Sequence, residues 1–259
     1  MGLLEVAARR RPEPIVLDNL ALGYDRRPAV HLVSGQFEPG SLTAVVGPNG
    51  AGKTTLIKGM VGLLQPLDGR IDLGAASRHS IAHLPQISDI DRDFPITCGE
   101  FVALGHWHRI GFFKAIDARY QQAVIDALDA VGLSDHSGVS LGKLSAGQLQ
   151  RVLFARTMVQ DCSTILLDEP FAAIDPNTTA DLMAIIRRWH REGRTVVAVL
   201  HDLELVRAQF PRTLLLARAP VAWADTASAL TPANLNRTAT PTANGQWPPS
   251  HGQNGTRVC

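Results

Sequence analysis

Short runs of apolar residues recur along the chain at the length of β-strands. They cover residues 15–22, 29–37, 42–46, 71–73, 81–84, 164–167, 195–200 and 213–216. The runs at 164–167 and 195–200 are almost continuously apolar, which is typical of strands buried on both faces in a parallel sheet. The early runs are closer together and are separated by turn residues such as Gly23 and Gly40, so we expect an antiparallel flank there.

Helical patterns lie between these strands. The clearest stripe places Leu182, Ile185, Ile186 and Trp189 at i, i+3, i+4 and i+7. Apolar residues at that spacing cover one face of a helix, which then packs against a sheet. Similar patterns occur at 56–64, 124–131 and 149–159. Strands that alternate with helices predict an α/β fold with a mostly parallel core sheet.

The two ends of the chain differ in composition from the rest. Residues 1–14 are rich in Arg and Pro, and residues 232–259 are rich in Asn, Thr, Pro and Gly with almost no apolar periodicity. Such segments bury too little apolar surface to fold alone. We therefore predict a mobile N-terminal tail, a folded region at 15–231 and a disordered C-terminal tail.

Composition narrows the class of protein. The 259 residues, 45% of them hydrophobic and 19% charged, suffice for a large core in one large or two small domains. Lys+Arg 25 and Asp+Glu 24 leave a net charge of +1, which argues against a protein held to nucleic acid by a basic surface. The three cysteines are too far apart for a disulfide framework or a zinc ribbon, which favours a reducing compartment. We expect no targeting segment, and no apolar run approaches the ~18 residues of a membrane span.

A glycine-rich motif follows the strand predicted at 42–46. It fits the pattern G-x-x-x-x-G-K-[ST], and its members are Gly47, Pro48, Asn49, Gly50, Ala51, Gly52, Lys53 and Thr54. A strand before it and a helical stripe after it are the context of a phosphate-binding loop. In such a loop the backbone N–H groups point at the phosphates, Lys53 reaches the β- and γ-phosphates, and Thr54 offers a hydroxyl to Mg²⁺.

Two carboxylates, Asp168 and Glu169, end the buried strand predicted at 164–167. Doubly wound sheets place their ligand chemistry at that edge. Asp168 is the candidate that holds Mg²⁺ through its waters, and Glu169 is the candidate that polarises the water attacking the γ-phosphate. Acidic pairs at strand ends also cap helices, so this interpretation depends on the phosphate loop.

A third motif, residues 144–148, reads Leu-Ser-Ala-Gly-Gln and precedes the helical pattern at 149–159. By itself it equally predicts a simple serine N-cap. Together with the other two motifs, in this order, it makes the chain resemble the ATP-binding cassette family, whose signature is LSGGQ. The resemblance runs from about residue 15 to residue 231. Ala146 stands where the family usually has Gly, and we expect activity to persist with this small residue.

The resemblance implies a P-loop ATPase domain whose helical subdomain, at about 88–160, carries the signature. It implies that Tyr24 stacks on adenine and that Gln86 links Mg²⁺ and the attacking water to the membrane-facing surface. It also implies that His201 contacts the γ-phosphate and braces Glu169, and that residues 172–175 form the D-loop. ATP and Mg²⁺ are then the cofactors. The implied catalytic residues are Lys53, Gln86, Glu169 and His201, the implied metal ligands are Thr54, Gln86 and Asp168, and Thr55 joins the implied nucleotide contacts.

The resemblance implies partners as well. In the family, the signature of one subunit closes over the γ-phosphate bound to the other, so Ser145, Gly147 and Gln148 complete the site of a second copy. The expected unit is a homodimer that encloses two ATP molecules at the cytoplasmic face of the membrane. It is expected to power a separate permease and to work indirectly with a metal-binding extracytoplasmic protein, without a nucleic-acid partner.

Residues 85–105 are similar to the same region of ATPases that serve zinc and manganese importers. In both, Pro-Gln, a charged run and Phe-Pro precede a helix and a Gly. Zinc is the first expectation and manganese the second, while iron-siderophore and haem importers have ATPases of similar size and motifs. The alternative from a different class is a soluble cassette ATPase of DNA repair or translation, which commonly has two cassettes or a long coiled-coil insertion.

Nine histidines raise the question of a metal site. His106 and His108 alternate, and His79 and His83 are four residues apart, so each pair permits two ligands in a suitable strand or helix. His83, however, falls in a predicted strand, where spacing to His79 does not bring the two rings together. We interpret these histidines as surface or packing residues.

Overall fold

The computed structural model describes residues 12–74, 80–107, 118–172 and 174–239. The strands are β1 (Ile15–Tyr24), β2 (Arg27–Phe37), β3 (Leu42–Val46), β4 (Asp68–Asp72), β5 (Ile81–Leu84), β6 (Thr164–Asp168), β7 (Thr195–Val199), β8 (Arg212–Ala217) and β9 (Ala219–Asp225). The α-helices are α1 (Lys53–Met60), α2 (Cys98–Ala103), α3 (Ala118–Ala130), α4 (Ala146–Gln160), α5 (Pro176–Arg191), α6 (Leu203–Gln209), α7 (Thr226–Ala229) and α8 (Pro232–Ala239). Short 3₁₀ turns occur at Ile87–Asp89, Leu104–His106, Ser134–His136 and Leu141–Lys143.

The central sheet has the strand order β5-β6-β7-β3-β8-β9, and each pair is parallel except β8 and β9. All residues of β3, β6 and β7 are buried, as their continuous apolar sequences predict for strands covered on both faces. Because these strands run parallel, the residues that follow each of them emerge at the same edge of the sheet. The loop after β3, the acidic pair at the end of β6 and the residues after β7 therefore share that edge.

A second, antiparallel sheet has the order β2-β1-β4. It packs through Leu22 and Phe37 against Leu56 of α1 and against one face of the central sheet. The ring of Phe37 also meets Trp223 of β9, with 4.7 Å between ring centroids. This sheet covers the helix that follows the glycine-rich loop and so holds that helix in place.

Helices α2, α3 and α4 pack in one continuous core with the other face of the central sheet. The start of α2 is joined to the segment before α4 by backbone hydrogen bonds, among them Cys98 N to Val139 O at 2.8 Å. Near its middle, α4 contacts α5, where the rings of Phe154 and Trp189 are stacked with 5.9 Å between their centroids. Helix α4 thus connects the helical region to the central sheet.

The structure confirms the α/β class, the mostly parallel core and the antiparallel flank. Two details differ from the sequence-based expectation. Strand β9 was not predicted, because Pro220 and the alanines around it give it little strand character. The disorder predicted from residue 232 is wrong for Pro232–Ala239, which form α8 against the body of the protein, where Asn234 Nδ2 donates to Ala229 O at 3.1 Å.

The predicted tails at 1–11 and 240–259 lie outside the described residues, as do His79, His108 and Ala173. In the described part of the chain, no helix has both the length and the apolar character that a membrane crossing requires. The helical region spans α2 to α4, within the range expected for a helical subdomain, and its boundaries remain a prediction.

Candidate active site

The glycine-rich loop of residues 47–52 connects β3 to α1. Gly47 has a φ of +153°, and a Cβ atom there would lie 1.9 Å from the carbonyl oxygen of Leu216 in β8, so only glycine fits. Helix α1 begins at Lys53 and is capped by Gly52, which has no side chain to occupy the first-turn N–H groups. The N-terminus of α1 therefore offers N–H donors and a positive dipole end to an anion held in the loop.

The side chain of Lys53, the first residue of α1, reaches into this loop, and Lys53 is 6% exposed. Its Nζ donates to the carbonyl oxygens of Gly47, at 2.9 Å, and of Pro48, at 3.0 Å. Burial lowers the pKa of Lys53, while the nearby carboxylates Glu169 and Asp168 oppose that shift. The ammonium group is thus already held at the centre of the loop, where phosphate oxygens would take the place of the two carbonyls.

Thr54, Asp168 and Gln86 meet beside the start of α1. Thr54 Oγ1 donates to Asp168 Oδ1 at 3.1 Å, and Gln86 Nε2 donates to Thr54 Oγ1 at 3.2 Å. Burial raises the pKa of Asp168 to about 6, the hydrogen bond from Thr54 lowers it, and the charge of Glu169 raises it. A hydroxyl, a carboxylate and an amide carbonyl are hard oxygen donors, so this set fits Mg²⁺.

Glu169 and His201 follow the adjacent strands β6 and β7. His201 Nε2 lies 2.7 Å from Glu169 Oε1, and both side chains are partly exposed. Glu169 has a φ of +50°, a left-handed conformation that is uncommon for residues other than glycine and is frequent at active sites. A cavity of about 400 Å³ opens beside the pair and is also lined by Phe171, Ile174 and Leu205.

Tyr24 ends β1, and its side chain is 53% exposed. An exposed aromatic ring at the end of a strand is available to stack on a base, which is the role that the family resemblance implies for Tyr24. Thr55, which the resemblance also assigns to the nucleotide contacts, follows Thr54 and is buried in the first turn of α1. The structure thus leaves Tyr24 accessible, and its role toward adenine remains a prediction.

The signature residues 144–148 form the start of α4. Ser145 is the N-cap: its Oγ accepts from Gln148 N at 3.2 Å, while Gln148 Oε1 accepts from Ser145 N at 2.9 Å. This capping box fixes the first turn of α4. Among the described hydrogen bonds, none joins residues 144–148 to the phosphate loop. Gly147 is partly exposed, and among the described atoms a Cβ atom there would meet only Ile174 Cγ2, at 3.7 Å.

Sequence reasoning missed several residues that position these groups. Asp202 caps α6 by accepting from the N–H groups of Glu204 and Leu205, which holds the segment that carries His201. Arg92 donates to the carbonyl oxygen of Leu144, directly before the signature serine. Gln150 is fully buried in α4 and donates to Pro170 O. For the last of these the available signal was a glutamine between the apolar residues Leu149 and Val152 of the helical pattern.

The histidines do not gather with other ligands in the described part of the chain, where no group of three or more His, Cys, Asp or Glu side chains could hold a metal ion. His83 lies in β5, as predicted. Burial lowers its pKa to about 4, so it is neutral at physiological pH.

A phosphate loop after one parallel strand and an acidic pair after another define a P-loop nucleotide hydrolase. The family model of the ABC transporter matches residues 30–172, which is more than half of the chain. The chain therefore belongs to the ABC transporter family and is its ATPase domain, in which ATP hydrolysis is coupled to transport.

Curated relatives agree with this assignment along most of the chain. The manganese transport system ATP-binding protein MntB of Listeria monocytogenes is 39% identical over 210 residues, which cover 80% of this chain and 88% of the relative. The zinc transport system ATP-binding protein TroB of Treponema pallidum is 33% identical over 227 residues, which cover 86% of this chain and 85% of the relative.

Solved structures have the same fold. An inward-facing transporter assigned to the metal-chelate ABC type has a TM-score of 0.77 at 27% identity, covering 88% of this chain and 89% of that one. The dimeric cassette MJ0796, a bacterial ABC transporter cassette, has a TM-score of 0.72 at 24% identity, covering 82% of this chain and 98% of that one. At that identity the second likeness concerns the fold alone.

Proposed function

We propose that this chain is the ATP-hydrolysing subunit of an importer for a divalent transition metal, manganese or zinc. The observation that carries the hydrolytic part is the 2.7 Å contact between Glu169 and His201, beside Thr54 and Asp168. Support for the cargo comes from the names of the relatives and from the motif pattern at 85–105. Five similar relatives are named for manganese transport and one for zinc transport, so we place manganese before zinc, the reverse of the order expected from the sequence.

Binding begins at the phosphate loop. Lys53 exchanges the carbonyls of Gly47 and Pro48 for oxygens of the β- and γ-phosphates, and the N–H groups at the start of α1 donate to the same phosphates. Tyr24 stacks on the adenine ring. Because Tyr24 is exposed, the base can cover its ring without any displacement of the protein. These contacts hold ATP from one side and leave the γ-phosphate open on the other.

Thr54, Gln86 and Asp168 are the residues that would hold Mg²⁺. When bound, the ion neutralises negative charge on the β- and γ-phosphate oxygens. Asp168 acts as a carboxylate, since its proton is lost above a pKa of about 6 and a cation beside it would lower that pKa further. Gln86 would offer its amide oxygen to the ion, and it joins the site to the segment that follows β5.

Hydrolysis depends on Glu169 and His201. Glu169 accepts a proton from the attacking water, whose oxygen bonds to the γ-phosphorus while the bond from that phosphorus to the bridging oxygen of ADP breaks. His201 Nε2 holds the Glu169 carboxylate in the orientation that this transfer requires, and His201 would also contact the γ-phosphate. The products are ADP and inorganic phosphate.

A second copy of the chain completes the site. The signature segment makes no described hydrogen bond to its own phosphate loop, and Gly147 is partly exposed in the first turn of α4. Ser145, Gly147 and Gln148 of the second copy would place N–H donors and a positive helix end on the open side of the γ-phosphate. Closure of the pair, followed by its opening after hydrolysis, moves a permease at the cytoplasmic face of the membrane, which receives metal from an extracytoplasmic binding protein.

The test is a reconstitution. The tagged chain is purified with its membrane partner from native membranes, the partner is identified, and the complex is placed in vesicles with its binding protein. ATP turnover is then measured with Mn²⁺, Zn²⁺, a ferric siderophore or haem supplied, and the Glu169→Gln complex serves as the control for turnover by contaminants. We expect Mn²⁺ or Zn²⁺ to accelerate turnover. Acceleration by a siderophore or haem alone would reject the divalent-metal class, and a chain that never co-purifies with a membrane protein would reject the transport role.

A further inference from the structure

Gln150 joins the signature helix to the strand end that carries the catalytic carboxylate. It lies in α4, five residues after the signature serine, and is fully buried. Its Nε2 donates to the carbonyl oxygen of Pro170 at 2.8 Å, and Pro170 directly follows Glu169. Only the amide nitrogen can donate to a carbonyl, so the orientation of the Gln150 side chain is fixed by this bond.

The next residue of α4 holds the other side of the same loop. Arg151 Nη2 donates to Thr178 Oγ1 at 2.8 Å, and Thr178 Oγ1 in turn donates to Asp175 Oδ2 at 2.6 Å. Asp175 is the N-cap of α5, so it ends the loop that starts at Pro170. Two consecutive residues of the signature helix therefore hold both ends of the segment between Glu169 and α5.

We propose that Gln150 is a positioning residue that couples the two ATP sites of the dimer. The inference rests on the proposed function, in which the start of α4 serves the ATP of the partner while Glu169 serves the ATP of its own chain. A shift of α4 on contact with the partner's γ-phosphate moves the Pro170 carbonyl through the Gln150 bond, and with it the backbone of Glu169. Each site thus reports its occupancy to the other through a single buried hydrogen bond.

The test compares two buried glutamines of the same helix. Gln150→Met removes the donor and keeps the length of the side chain. Gln160→Met is the matched control, since Gln160 is buried near the far end of α4 and accepts from His83 N at 3.3 Å, away from both sites. Steady-state ATP turnover of each full-length chain is measured against ATP concentration, together with its melting temperature.

We expect a sigmoidal curve for the wild-type chain, with a Hill coefficient approaching the number of sites, which is two. In Gln150→Met the Hill coefficient falls to about one and kcat falls about tenfold, as for the loss of one charge-orienting hydrogen bond. Gln160→Met keeps both values, and the two variants lose similar thermal stability. If Gln150→Met does not fold, Gln150→Leu removes the same donor with a smaller apolar side chain.

Two failures can be told apart. A Gln150 variant that dimerises with ATP and keeps the wild-type Hill coefficient would overturn the coupling alone, as would an equal loss of cooperativity in Gln160→Met. A wild-type chain that stays monomeric with ATP would overturn the proposed function and the coupling with it.

Discussion

His201 Nε2 lies 2.7 Å from Glu169 Oε1, and the two residues follow strands that are neighbours in the central sheet. Because β6 and β7 are parallel, with Asp168 opposite Val199, their ends place both side chains at one edge. Glu169 adopts a left-handed backbone conformation, which costs a residue with a Cβ atom about 1 kcal/mol or more. Backbone strain of this kind at the end of a buried strand, together with a carboxylate oriented by His201, is typical of a catalytic residue and supports the proposed role of Glu169.

Glu169→Gln should bind ATP but hydrolyse it very slowly. The amide keeps the shape of the side chain and cannot take the proton of the attacking water, so kcat should fall by roughly 10²- to 10⁴-fold. With ATP present, the variant should elute from a sizing column as a stable dimer, because the closed dimer opens only after hydrolysis. Glu38→Gln, at an exposed turn, is the matched control and should keep wild-type turnover. Normal turnover by Glu169→Gln would remove Glu169 from its assigned role.

Lys53→Ala should lose ATP affinity. The variant removes an ammonium group that is held at the centre of the loop, and loss of a charged hydrogen-bond donor is worth about 1.5–3 kcal/mol, or roughly ten- to a hundredfold in Kd. Equilibrium binding of ATP measured by calorimetry checks this. Lys58→Ala is the control in the same helix, because Lys58 instead pairs with Asp89 at 3.0 Å. Equal ATP affinity in the wild-type chain and Lys53→Ala would contradict the phosphate-loop assignment.

Gly147→Ala should fold normally and lose turnover. Among the described residues of its own chain, a Cβ atom at Gly147 meets only Ile174 Cγ2, at 3.7 Å, and alanine is favoured over glycine in a helix by about 0.5–1 kcal/mol. In the proposed dimer, however, the added methyl group stands between the signature and the γ-phosphate of the second copy. Unfolding curves and ATP turnover of the same preparation separate the two effects.

Gly138→Ala is the control for Gly147→Ala, since a Cβ atom there meets no described atom within 4 Å. It should keep both stability and turnover. Full turnover by Gly147→Ala would show that nothing approaches the signature closely during hydrolysis, and the second copy would lose its assigned part.

The sequence predicted the sheet and the phosphate chemistry because both depend on local patterns. Continuous apolar runs mark β6 and β7, and the loop at 47–54 is defined by spacing alone. The links between distant segments could not be predicted in the same way. Gln150 meets Pro170, and Arg92 meets Leu144, only because α4 crosses beside both loops after folding. The spacing of residues along the chain does not indicate which buried polar side chain will form a hydrogen bond with which backbone carbonyl.

The stability of the wild-type chain should fall on acidification in a way that depends on His83. Burial lowers the pKa of folded His83 to about 4 from the ordinary 6.5, so the unfolded chain binds more protons between these two values. The free energy of unfolding contributed by neutral His83 is therefore present at pH 7 and is lost as the pH falls through 6.5 toward 4. Between pH 7 and pH 5 the loss is about 1–2 kcal/mol.

Urea unfolding of the wild-type chain and of His83→Gln at both pH values measures this contribution directly. Glutamine has no proton to bind, so the variant should lose about 1–2 kcal/mol less than the wild-type chain on going from pH 7 to pH 5. Other titrating groups affect both proteins alike and cancel in the comparison. Parallel losses in the two proteins would mean that His83 takes up its proton in the folded state as readily as in the unfolded chain.

Arg194→Met should destabilise the fold without changing turnover. Arg194 is 6% exposed, and its guanidinium bonds Asp161 at 2.8 Å, Glu192 at 3.0 Å and the carbonyl oxygen of Cys162 at 3.0 Å. Its removal takes one cationic partner from Asp161 and one from Glu192, and since both carboxylates are partly exposed the cost should be about 2 kcal/mol, below that of a fully buried pair.

The matched control is Arg188→Met, because Arg188 also bonds Glu192 but is 63% exposed. An exposed i, i+4 pair is worth about 0.3–0.5 kcal/mol, so the control should lose far less stability in urea unfolding. Both variants should keep the kcat of the wild-type chain at temperatures where they are folded. Arg194 joins the start of β7 to the end of α4, whereas Glu169 follows the end of β6, so the two residues lie at opposite ends of the parallel strands. Equal stability losses would show that the buried network is no stronger than a surface pair, and a fall in kcat would show that this end of α4 also acts on the site.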